Sequence, residues 1–167
     1  FLGSDIARAR IRGFQGTDVS AINTVAACVK HFAAYGASQA GRDYNSVDMS
    51  IRMLKEVYLP PYKAAVDEGA LTVMSSFNDL DGIPATANKY LLNDLLRNEW
   101  GFDGFLVTDY ASINELVTHG VAADTLEAAR MALIAGSDMD MQAGAFNKAL
   151  GQFVEEGKLN ERYIDDA

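Results

Sequence analysis

Short apolar runs rich in β-branched residues recur along this chain. Each is separated from the next by a stretch of helical periodicity, and this alternation restricts the fold more than any other feature. The runs are Val25 to Phe32, Leu71 to Asn78, Phe105 to Asp109 and Ser137 to Met141. No convincing hairpin signal joins any two of them. Strands linked through helices lie parallel, because parallel neighbours need a long crossover and a helix is its usual form. The expected class is therefore α/β with parallel strands. A doubly wound sheet fits the 167 residues. An eight-stranded barrel takes about 250 residues, so roughly four β/α units amount to half of one.

The segments between the runs start and stop as helices do. Asn88 is a plausible N-cap for a helix whose Leu91, Leu92, Leu95 and Leu96 share one face before Gly101 ends it. Asp124 and Glu127 form a capping-box pattern ahead of Thr125 to Leu133, with Gly136 as terminator. Asp48 or Ser50 opens a helix through Ile51, Leu54 and Tyr58. Pro60-Pro61 must bend or stop it, and a short helix through Ala65 and Val66 then ends at Gly69. Ser4 to Arg12, Ala145 to Glu156 and Glu161 to Asp166 complete the helical set.

Charge and composition narrow the partners. A net charge of −9 gives no basic field for a phosphate backbone or an anionic bilayer, so neither nucleic acid nor membrane is an expected partner. No run approaches the ~20 apolar residues of a membrane span. The single cysteine, Cys28, lies in the apolar run Val25 to Val29 and reads as a small buried hydrophobe. With two histidines and one cysteine no zinc cluster can be assembled, and Gly36 and Gly41 do not have the spacing of a nucleotide-binding loop. No cofactor or metal is expected. The start at Phe1 rather than Met suggests a segment of a longer protein.

In parallel α/β folds the working groups gather where strands end. Lys30 and His31 end the first run, Ser75, Ser76 and Asn78 the second, Asp109 the third, and Asp138 and Asp140 flank the fourth. Phe105 to Tyr110 is the clearest case, an apolar strand that delivers a carboxylate and then an aromatic ring. Asp109 is either a nucleophile or acid beside a stacking surface, or the N-cap of a helix starting at Ser112. Lys30 and His31 are adjacent, so only a kinked strand end lets both reach one ligand. They form an orienting pair for hydroxyls, a Schiff-base lysine with its neighbour, or a buried histidine beside a snorkelling lysine. Met74 and Phe77 are possible site walls. His119 reads as structural.

Taken together, Val29-Lys30-His31-Phe32-Ala33-Ala34-Tyr35-Gly36, Val73 to Asn78 and Gly101 to Tyr110 resemble glycoside hydrolase family 3, particularly its periplasmic β-glucosidases. Tyr44 to Ser50, Leu59 to Ala64 and Ala135 to Met141 agree as well, so the likeness covers nearly the whole chain. It implies the later half of a (β/α)8 catalytic barrel from a retaining, exo-acting β-glycosidase. In that reading Asp109 is the nucleophile, Lys30 and His31 grip hydroxyls of the terminal sugar, and Met74 and Tyr110 line the same subsite. The substrate is then a β-glucoside or oligosaccharide, and the compartment periplasmic or extracellular. Tyr110 and Phe77 depart from the commoner family residues, Trp or His and Tyr respectively, which leaves the aglycone preference open. The stretch Ala33 to Asp43 lacks the Pro-Gly-His-Gly loop of the family's N-acetylhexosaminidases and favours the glucosidase branch. No residue here resembles the acid/base, so the isolated segment is expected to be inactive and, with open sheet edges, to self-associate. The rival readings are a Lys30 Schiff-base lyase or aldolase and a noncatalytic sugar-binding module.

Overall fold

The computed structural model describes residues 1–167. Helix α1 (Leu2–Gln15) precedes strand β1 (Cys28–Phe32), and α2 (Ile51–Met53) runs on as a wide π-type turn, Leu54–Tyr58, into α3 (Pro60–Asp67) and β2 (Thr72–Ser75). A π-type helix, Tyr90–Glu99, leads to β5 (Phe105–Val107), followed by α4 (Ser112–Thr118), α5 (Thr125–Ala135), α6 (Ala145–Glu155) and α7 (Arg162–Asp165). Strands β1, β2 and β5 form one parallel sheet in that order. This is the expected α/β class, consecutive β/α units of a partial barrel.

The helix ends follow the local chemistry. The Ser50 hydroxyl accepts from the Met53 amide at 3.2 Å and starts α2, and the prolines stand in the first turn of α3, where no amide donor is needed. The Asn88 side chain accepts from Leu91 N–H at 3.2 Å, so Leu91, Leu92, Leu95 and Leu96 turn inward together. Asp124 accepts from Glu127 N–H at 2.9 Å while the Glu127 carboxylate accepts from Ala123 N–H at 2.8 Å. Gly136 closes α5 at φ 113°.

Register decides which side chains are buried. Val29, Val73 and Leu106 share one sheet face and pack with Phe32 against the leucines of the Tyr90–Glu99 helix. Cys28, Thr72 and Phe105 are also in register and share the other face. Cys28 and Phe105 are exposed there, which corrects the expectation that Cys28 is buried. Its apolar neighbours in sequence are not its neighbours in space, because alternation along the strand turns it away from the helix layer. A second core lies beneath α4, α5 and α6, around Ile113, Leu116, Ala129 and Leu133.

Two further corrections concern strands. Asp79–Leu80 and Ile83–Pro84 form a small antiparallel hairpin, β3 and β4, about Asp81 and Gly82, both at positive φ. Asp-Gly favours that two-residue turn, but the flanking strands are too short for their alternation to register. The fourth run contributes only a bridge, Val107 to Met139. Backbone and side-chain bonds both join it to β5: Thr108 N–H donates to Met139 O and Asp138 N–H to Leu106 O, each at 2.9 Å, while Asp138 accepts from Leu106 N–H at 2.6 Å and the Thr108 hydroxyl from Met141 N–H at 3.0 Å.

The Asp138 carboxylate also meets Arg97 at 2.6 Å, and Arg97 donates to the Gly104 carbonyl at 2.8 Å. This clip ties the Tyr90–Glu99 helix, the approach to β5 and the fourth run together. Removing one member leaves the other charge largely buried, so Arg97→Ala is expected to cost about 3 kcal/mol in urea denaturation. At Gly104 an added Cβ would collide with the Leu71 carbonyl oxygen and the Phe102 ring. Gly104→Ala is expected to lower the same denaturation midpoint by forcing the entry to β5 apart.

Candidate active site

The carboxyl ends of β1, β2 and β5 converge on one rim. Pairing of β1 with β2 runs regularly through Val29 and Val73, then sets Phe32 opposite Ser75, so β1 carries an extra residue and leaves its regular path. The Lys30–His31 and Phe32–Ala33 peptide bonds are both cis. The Tyr62 hydroxyl donates to the His31 carbonyl at 2.6 Å, and Phe32 packs edge-on against Tyr62 and Trp100. Behind this bend, Ala33 O accepts from Ser76 Oγ and Asn78 Nδ2, both at 3.3 Å, and Phe32 O accepts from Ser76 N–H at 2.8 Å. Ser75, Thr86 and Ser112 form a buried chain of hydroxyls at 2.9 Å steps. The second run's polar residues thus build the support for the rim.

Asp109 follows β5 by two residues and is 8% exposed. Its Oδ1 accepts from Tyr110 N–H at 2.7 Å, while Oδ2 is buried without a hydrogen-bond partner. It does not cap α4: Ala111, left-handed at φ 55°, holds that position and no side chain bonds the helix amides. His31 Nε2 lies 3.6 Å from Asp109 Oδ2. Burial, the largest influence, pushes the His31 pKa below its ordinary value. Asp109 and Asp43 oppose that shift and Lys30 adds to it.

Of the residues singled out from sequence, His31 and Asp109 come together. Met74, buried, shares its sheet face with Val107 and with Asp109's side of the strand repeat. Tyr110 is 59% exposed on the rim. Lys30 is exposed, makes no ion pair, and borders an apolar groove of about 580 Å³ between α1 and β1 that Asp109 does not line. The rim, by contrast, brings His31 and Asp109 together, the kind of convergent polar pair a binding site requires. Asp138 is committed to Arg97. Asp140 accepts from Ala143, Ala145 and Phe146 amides and so starts α6. His119 ends α4.

Two tyrosines not singled out from sequence, Tyr35 and Tyr44, join Phe77 to complete the site. Tyr35 packs edge-on against His31, 5.4 Å between centroids at 74°, and its hydroxyl donates to Asp43 at 2.6 Å. Phe77 lies 6.3 Å from Tyr35 and 4.6 Å from Tyr44, which adopts φ 65°. The available signal was a tyrosine three residues beyond the strand and an aspartate at the far end of the same polar loop. No spacing rule joins such a pair.

The rim places one carboxylate with a free buried oxygen beside an imidazole and a wall of rings. That is the equipment of a nucleophile, or of a charge stabiliser, for a polar substrate with a hydrophobic face.

Comparison with known proteins identifies relatives over nearly the whole chain. The family described as the glycosyl hydrolase family 3 N terminal domain matches residues 2–167. A periplasmic β-glucosidase of Salmonella typhimurium is 44% identical over the whole of this chain and 22% of its own length. A β-xylosidase of Formosa agariphila is 44% identical over 86% of the chain and 20% of its own length. The crystal structure of a Listeria innocua β-glucosidase in complex with glucose superposes with a TM-score of 0.97 at 46% identity, covering 99% of this chain and 23% of that one. The chain spans about a fifth of the length of the curated relatives it matches.

The charges around His31 make its titration a direct probe of the geometry. Asp109→Asn removes a raising influence and is expected to move the His31 midpoint further below its ordinary value. Lys30→Met is expected to move it up. Imidazole chemical shifts followed against pH by NMR read both.

Proposed function

The chain belongs to glycosyl hydrolase family 3, and from that premise we propose that the enzyme carrying it is a retaining, exo-acting β-glycosidase, most plausibly a β-glucosidase, with Asp109 as nucleophile. The single observation that carries this reading is the buried Asp109 oxygen without a hydrogen-bond partner at the carboxyl end of β5. The segment is then the later half of a catalytic barrel, and its substrate is a terminal, non-reducing β-glucoside of a glycoside or oligosaccharide. The names of the Salmonella and Listeria relatives favour glucose, and that of the former favours a periplasmic compartment. No helix of the chain is long and apolar enough to cross a membrane.

The chemistry follows from the rim. Asp109 Oδ2 attacks the anomeric carbon and forms a glycosyl ester as the bond to the leaving oxygen breaks. A second carboxylic acid must protonate that oxygen, then take a proton from the water that attacks the same carbon and frees Asp109. Asp138 and Asp140 are already committed to Arg97 and to the start of α6, so we assign that acid to a part of the enzyme outside this segment. By the family resemblance His31 and Lys30 orient sugar hydroxyls, His31 from its place beside Asp109. Met74 and Tyr110 wall the subsite. The isolated segment is then inactive, and its open β1 edge and uncovered Phe105 face favour self-association.

In the whole enzyme, Asp109→Ala is expected to lower kcat on an aryl β-glucoside by at least ~10³-fold. A 2-deoxy-2-fluoroglucoside with a good leaving group is expected to label Asp109, read by peptide mass spectrometry. A label on another residue, or turnover that survives Asp109→Ala, overturns the assignment. Borohydride trapping of a carbonyl substrate on Lys30 would favour a lyase instead. The 167-residue segment alone is expected to elute ahead of a monomer in size-exclusion chromatography and to release no aglycone.

A further inference from the structure

The loop that follows β1 is fastened at both ends. Its far end is held by Asp79 on the β3–β4 hairpin, whose carboxylate accepts from the Ser46 hydroxyl at 2.8 Å and from Val47 N–H at 3.2 Å. Val47 also bonds the hairpin backbone on both sides, donating to Asp79 O and accepting from Asp81 N–H, each at 3.0 Å. The near end continues from β1, where the Phe32 and Ala33 carbonyls accept from Ser76 and Asn78, and within the loop the Tyr35 carbonyl accepts from the Ser38 hydroxyl at 2.9 Å. Between these anchors Asp43 forms no ion pair, and its carboxylate accepts one hydrogen bond, from Tyr35 at 2.6 Å.

The other face of Tyr35's environment is His31. The two rings meet edge-on, and no side-chain hydrogen bond holds the imidazole; the Tyr62 contact fixes only the His31 backbone. The groups charged or titratable around the ring are Asp109 from the end of β5, Lys30 from its own strand, and Asp43 and Tyr35 from the loop. Burial, the hydrogen bond to Asp43 and Asp43's charge all push the Tyr35 pKa upward, so the phenol keeps the proton that it donates.

We propose that Tyr35, anchored through its hydroxyl to Asp43, is a positioning residue that fixes the His31 ring and thereby its 3.6 Å approach to Asp109. This rests on the proposed glycosidase reading for its kinetic consequence but not for its geometry. The route is continuous: hairpin to Asp79, Asp79 to the loop, the loop to Asp43, Asp43 to Tyr35, and Tyr35 to the imidazole. A ring freed from this contact keeps its backbone tether and rotates toward water.

The test compares parent, Tyr35→Phe, Asp43→Ala, Asp43→Asn and His31→Gln, with the Tyr35→Phe/His31→Gln double variant, in the whole enzyme. With a nitrophenyl β-glucoside, Tyr35→Phe and Asp43→Ala are expected to lower kcat/KM about tenfold. Asp43→Asn, which keeps an accepting oxygen, is expected to retain most activity. The Tyr35→Phe loss is expected to vanish once His31 is Gln, because the tyrosine acts through that ring. Thermal midpoints are expected to stay within about 2 °C. An equal loss in the His31→Gln background, or no loss in Tyr35→Phe, overturns the proposal. If the parent turns over no glycoside, the functional reading falls, and the His31 NMR titration still decides this inference. A midpoint raised toward the ordinary value in Tyr35→Phe supports it, and an unchanged midpoint overturns it.

Discussion

The burial of one sheet face sets the position of everything at the rim. Val29, Val73 and Leu106 stand side by side because the three strands are parallel and in register, and together they meet the leucines of the Tyr90–Glu99 helix. Each such side chain contributes roughly 1.5–3 kcal/mol on leaving water. A shift of one residue in any strand would turn its apolar set to the open face, so the register is strongly specified. With register settled, the ends of β1, β2 and β5 must lie together. The proximity of His31 to Asp109 is a consequence of this alignment, since the residues are far apart in sequence.

Legibility in the sequence followed the range of the interaction. Helix caps at Ser50, Asn88 and Asp124 depend on residues three apart, and each forms as its local pattern demands. Three of the four strand runs appear, trimmed to the residues that pair. The fourth contributes a single bridge beside β5, where side-chain oxygens of Asp138 and Thr108 take the Leu106 and Met141 amides alongside the backbone bonds. Cys28 deceived because its burial depends on which face lacks a helix, a property of the assembled sheet. The hairpin at Asp81 and Gly82 was visible as an Asp-Gly pair, but with two-residue strands it offered no alternation to support that reading.

The candidate site was legible in the same uneven way. Asp109 and His31 stood out because a polar residue at the end of an apolar strand is a local contrast. Tyr35 and Asp43 did not, because their hydrogen bond closes a loop of otherwise ordinary polar composition. Their pairing depends on the hairpin that holds the loop, and so on an element the sequence reading had not anticipated. One missed turn therefore concealed the outer part of the site while leaving its centre readable.

Comparison among the chain's own carboxylates sharpens the assignment of Asp109. Asp79 and Asp140 are drawn into the fold with both oxygens engaged, by Ser46 and Val47 and by the first amides of α6, and Asp138 holds Arg97 and the Leu106 N–H through Oδ2 alone. These are interactions that hold backbone together. Asp109 differs in kind, for one oxygen is fixed by the next amide and the other is buried, unbonded and beside an imidazole. Leaving such an acceptor unsatisfied costs about 1–3 kcal/mol, or more for a charged group, and Asp109 Oδ2 is the buried carboxylate oxygen that carries this cost. On the proposed reading, this is the oxygen that meets the electrophilic carbon of the substrate. Position at a strand end alone does not separate a reactive carboxylate from a structural one, whereas a buried oxygen with no partner in the fold sets Asp109 apart.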